Sequence, residues 1–103
     1  MDVLLRIKRL VLEGRMRITE KSRDEMELDD IEPAEVAEAI LSARRIDKTL
    51  RSRNPRRSHA SEKLYVIKGF SYKGTSIYTK GRFGRDHGEQ VYYILISAKI
   101  DSP

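Results

Sequence analysis

Apolar residues recur at helical spacing from the start of the chain. Val3, Leu4, Ile7, Leu10 and Val11 fall on one face, the i, i+3, i+4, i+7 pattern of an amphipathic helix. Asp2 stands where an N-cap belongs, and Gly14 where a helix closes on a left-handed residue. Thr19 caps a second, weakly apolar segment that reaches Met26 and Leu28 and stops at Asp29-Asp30. A third helix begins in Ile31-Glu32-Pro33-Ala34-Glu35-Val36. Pro33 takes the first helical position, Glu35 lies in the first turn, and Ile31 can staple onto Val36. This helix turns Val36, Ala37, Ile40 and Leu41 inward and ends near Arg44-Arg45, two cations suited to its negative pole.

After residue 45 the periodicity changes. Ile46 to Leu50 predicts a short strand, and Arg51 to Ser61 a loop without periodicity. Lys63 to Phe70 predicts a strand, Ser71 to Gly74 a turn, and Thr75 to Lys80 the hairpin partner. A second loop, Gly81 to Gly88, leads into the apolar run Val91 to Ala98, the expected central and most buried strand. Helices followed by antiparallel strands define the α+β class. The expectation is one domain over residues 1–103, with three N-terminal helices packed on a four-stranded, mainly antiparallel sheet. Its helical half is 1–45 and its sheet half 46–103.

Charge divides the chain close to the same place, between residues 47 and 48. Residues 1–47 hold twelve acids and nine bases, a net of −3, whereas residues 48–103 hold four acids and twelve bases, a net of +8. All seven aromatic residues lie in the second half. Such an asymmetry points to a nucleic-acid partner. No apolar run approaches the roughly 18 residues of a membrane span, and the first residues lack the pattern of a signal peptide. The chain has no cysteine, which removes thiol chemistry and Cys-based zinc sites and fits a cytoplasmic location.

Motifs for nucleotide binding, serine hydrolysis and zinc proteolysis are missing. The pairs Glu25/Glu27 and Asp29-Asp30 read as solvated faces, and the basic half has too few carboxylates for a two-metal nuclease. No metal or cofactor is expected. What remains is cations and phenols, which can cleave RNA if they deprotonate the 2′-hydroxyl, hold the phosphoryl charge and protonate the leaving oxygen. Arg51, Arg53, Arg56 and Arg57 suit backbone phosphates. His59, Lys68, Tyr78, Arg82 and Arg85 complete the expected RNA contacts.

Several strings resemble the MqsR family of toxin ribonucleases, within the RelE-like group. Ile7 through Thr19 is similar to that family's first helix, glycine and re-entry. Lys48 falls at a lysine on the family's first long strand, Tyr65 in Leu64-Tyr65-Val66-Ile67-Lys68 at a strand tyrosine, and Lys80 at its C-terminal lysine. The resemblance implies a RelE-like fold and a metal-independent endoribonuclease acting on mRNA, free or on the ribosome, with Lys48, Tyr65 and Lys80 as the catalytic set. It also implies a cognate antitoxin with a zinc-binding domain. The chain departs from the family in lacking a loop glutamine before Tyr65, where His59 is the nearest polar residue, and in extending through residues 81–103. The alternative function is a non-catalytic RNA- or ribosome-binding module. The two separate on whether Lys48, Tyr65 and Lys80 converge.

Overall fold

A computed structural model describes residues 2–51 and 62–102. Helix α1 spans Val3–Leu12, capped by Asp2, whose Oδ1 accepts from the Leu4 N–H at 2.9 Å. It buries Leu4, Ile7, Leu10 and Val11. Gly14, at φ +75°, closes it: Gly14 N–H donates to Val11 O and Arg15 N–H to Leu10 O. These are the paired bonds of a Schellman ending.

That turn sends the chain into β1 (Met16–Ile18), a strand too short to show a period. Helix α2 (Glu20–Leu28) follows, with Thr19 as its N-cap. Its weak apolar face has a physical reason, because its polar side chains close an edge of the sheet. Thr19 Oγ1 and Ser22 Oγ donate to Leu95 O at 2.8 and 3.0 Å. Glu25 Oε1 accepts from Ser97 Oγ and Ala98 N–H, and Asp29 Oδ2 from Ile100 N–H. Glu25 and Asp29 are therefore structural acceptors rather than a merely solvated face. Burial pushes the Glu25 carboxyl up, but the bonds from Ser97, Ala98 and Lys21 outweigh it and hold it below its ordinary value.

Helix α3 spans Pro33–Ser42, with Pro33 in its first turn and the Glu32 N–H donating to Glu35 Oε2 at 3.0 Å. Ile31 and Val36 are both buried in the core, as a hydrophobic staple requires. The helix ends at Ala43 with no base in its last turn. Arg44 and Arg45 lie beyond the expected dipole position.

Four further strands are β2 (Lys48–Arg51), β3 (Lys63–Phe70), β4 (Ser76–Arg85) and β5 (Val91–Ile100). The sheet has five strands rather than four, in the order β1-β5-β4-β3-β2, and it is mixed because β1 pairs parallel to β5. β4, not β5, is central. β4 also continues through residues 81–85, where glycines suggested a loop. Tyr93 explains Gly81: a Cβ there would lie 2.5 Å from Cζ of that ring. An irregularity beside Lys80/Gly81 shifts the register against β5.

All three helices contribute to one core on one sheet face. Ile7, Ile40, Ile67, Ile77 and Leu95 are fully buried there, each contributing about 1.5–3 kcal/mol by burial. α3 lies closest: a Cβ on Gly69 would sit 1.9 Å from Ala39 O.

Candidate nucleic-acid interface

Strand alternation and register divide the candidate residues between two faces, because directly paired residues share a face and neighbours along a strand do not. Tyr65, Ile67 and Gly69 of β3 face the helices. So do their partners Gly81, Thr79 and Ile77 on β4, and Thr49 on β2. Val66 and Lys68 point the other way. With them go Lys48 on β2, Tyr78, Lys80 and Arg82 on β4, and Lys99 on β5.

The expected catalytic set therefore does not converge. Lys48 and Lys80 flank Val66 in one row, about 10 Å apart at two strand spacings. Tyr65 is directed through the opposite face. It is 8% exposed, belongs to the core, and meets the Phe83 ring edge-on at 5.7 Å. Phe83 in turn packs edge-on against Tyr93. The strand tyrosine that looked catalytic is an aromatic core residue. The physical reason is the two-residue period, since Tyr65 shares parity with Ile67, which α3 covers.

Two of the expected RNA contacts, read as loop residues, lie instead on strands on the helix side of the sheet. Arg51 pairs with Lys63 on the Tyr65 side of the sheet. Arg85 has the parity of Phe83 and lines a cleft of about 280 Å³ with Arg6, Phe83 and Val91. There the Arg6 guanidinium stacks 4.5 Å from the Phe83 centroid. Arg53, Arg56, Arg57 and His59 lie outside the described residues.

No described element packs on the remaining face. It holds Lys48, Lys68, Tyr78, Lys80 and Arg82, together with three residues the sequence reading did not select. Arg17 of β1 stacks over Tyr92 at 4.0 Å, and Lys99 lies 5.4 Å from the Tyr78 centroid. Arg17 was hidden because its strand has three residues. Tyr92 was hidden because a strand tyrosine most often packs inward. The signal available in the sequence was parity: Tyr92 alternates with the buried Tyr93. Val66 is 2% exposed but outside the core cluster. It is flanked by lysines whose stems can cover it while their ammonium groups stay wet.

Acids neutralise part of this surface. Arg82 pairs with Glu62 at 3.2 Å, Lys68 with Asp101 at 3.6 Å and Arg17 with Asp86 at 4.0 Å. Asp86 also accepts from Gly88 N–H and Gln90 N–H, which fixes the β4–β5 turn beside Tyr92. Lys48, Lys80 and Lys99 have no ion pair among the described residues. The surface is a cationic sheet with two half-buried phenol rings, each beside a cation. It can hold phosphates and stack bases.

Among the described residues no helix is long and apolar enough to cross a membrane. No family model matches the chain, and comparison with curated proteins and with solved structures returned no match.

Proposed function

We propose that the chain is a non-catalytic binding module for single-stranded nucleic acid, RNA in the first place, and that the helix-free face of its sheet is the binding surface. The observation that carries this reading is the gathering of Lys48, Lys80, Lys99, Tyr78 and Tyr92 on one face away from the core, Tyr92 and Lys99 being brought to the same side by the register shift beside Lys80/Gly81. Rings on a sheet surface suit unstacked bases, which a duplex does not offer. The cations beside them suit the phosphates between those bases. Cleavage by Lys48, Tyr65 and Lys80 is not part of the reading, because Tyr65 is buried on the far side. The MqsR-like resemblance adds an antitoxin as a second proposed partner and a RelE-like ancestry for the sheet, but it does not carry the argument.

The test is fluorescence anisotropy with a labelled RNA single strand and the matching duplex. The single strand should bind more tightly. Tyr78→Ala and Tyr92→Ala should each weaken it by roughly fivefold or more, the lower end of one lost base stack. Tyr65→Phe should change nothing, and a full-length RNA should stay intact with and without EDTA. Equal affinity for duplex and single strand, or indifference to both alanine variants, refutes the reading. Cleavage that disappears in Tyr65→Phe restores the catalytic one.

A further inference from the structure

The open edge of β3 adjoins a second cationic feature. β2 covers β3 only as far as Val66, whose carbonyl accepts from the Asp47 N–H at 2.8 Å. At the far end, the Phe70 N–H donates to Ser42 Oγ, which in turn donates to Phe70 O. Backbone groups on a strand alternate in direction, so Lys68, midway between these, turns its N–H and C=O to the same edge. No described residue bonds them. A gap of one residue is too short to receive a strand, but it can receive a single ligand group.

The gap opens into a cleft of about 400 Å³ lined by Arg44, Arg45, Asp47 and Lys68. Asp101 pairs with Lys68, and Asp47 adds a second acid. Arg44 and Arg45 meet no acid among the described residues. Guanidiniums match phosphate oxygens in pairs, and the charge on a phosphomonoester near neutral pH is close to −2. A phosphodiester carries only −1 and would be attracted less strongly.

We propose that this cleft is a phosphomonoester site, formed by Arg44, Arg45 and the Lys68 backbone N–H. Its ligand is the terminal phosphate of a nucleic-acid strand lying on the open face, or that of a free mononucleotide. The first source rests on the function proposed above; the second does not. Lys68 links the two features, since its side chain belongs to the open face and its backbone to the cleft.

The full-length chain, labelled with ¹⁵N, is titrated with inorganic phosphate and with a nucleoside 5′-monophosphate. Binding is then compared for one oligonucleotide sequence carrying hydroxyl ends, a 5′-phosphate or a 3′-phosphate. Both small anions should shift the amides of residues 44–47 and 68 saturably. A phosphorylated end should tighten binding about tenfold, the scale of one charge-assisted hydrogen bond. The double variant Arg44→Gln/Arg45→Gln should erase that gain while holding the hydroxyl-ended strand within twofold. If phosphate titrates the cleft but no strand binds, the cleft stands and the open-face reading falls. If phosphate titrates the cleft but strand ends make no difference, free nucleotides are the ligand. Unmoved amides with no end preference overturn the proposal. So does an end preference that survives in the double variant and vanishes in Arg6→Gln/Arg85→Gln.

Discussion

Removing Lys48 and Lys80 together should flatten the salt dependence of RNA binding by a predictable amount. Each phosphate neutralised on a single strand adds about 0.7 to the slope of log K against log salt concentration. Arg17, Lys68 and Arg82 already have acidic partners, whereas Lys48 and Lys80 have none among the described residues. The variant Lys48→Ala/Lys80→Ala should therefore reduce the slope by about 1.4. Between 50 and 200 mM salt, wild-type affinity should then fall roughly sevenfold more than that of the variant. Whatever arginines 53, 56 and 57 add to the slope is the same in both proteins, so the difference is the diagnostic quantity. The control is Arg51→Ala/Lys63→Ala, which removes the same charge from β2 and β3 on the opposite face. Anisotropy titrations at four salt concentrations suffice. If the control flattens the slope as much as the test variant, overall charge governs binding and the open face has no special part.

Tyr93 is fully buried, and its hydroxyl has no hydrogen-bond partner among the described residues; burial, reinforced by Tyr65, drives its pKa far up. An unsatisfied buried polar group costs about 1–3 kcal/mol. Tyr93→Phe should therefore raise Tm by several degrees, and a fall in Tm would show that the hydroxyl is bonded in solution. Gly69→Ala would place a methyl against Ala39 O. It should cost more than about 3 kcal/mol in chemical denaturation, beyond ordinary overpacking; a loss under 1 kcal/mol would mean α3 does not seat there. The Glu25 pKa is lowered by folding, so its contribution is present above the unfolded value of about 4.3 and is lost as pH falls through the folded one. The Tm advantage of wild type over Glu25→Gln should shrink below about pH 4.5; a gap constant from pH 7 to 3 would sink the assignment.

Local chemistry made much of the helical half legible. Asp2, Gly14, Thr19 and Pro33 act within a few residues of where they stand, and their caps and turns are as their side chains require. The charge division was equally plain, as were β3 and the first half of β4 through Lys80, because alternation and net charge need no partner to be read. Tertiary structure decided what depends on distant neighbours. β1 exists because β5 offers an edge to Arg15 and Thr19. Gly81 and Gly84 sit within a strand because Tyr93 and Ile94 occupy the space a Cβ would need. Above all, only the pairing of Val66 with both Lys48 and Lys80 could divide Tyr65 from those lysines. Alternation says that neighbouring positions oppose one another across a sheet, but the packed core determines which of the two sides meets water.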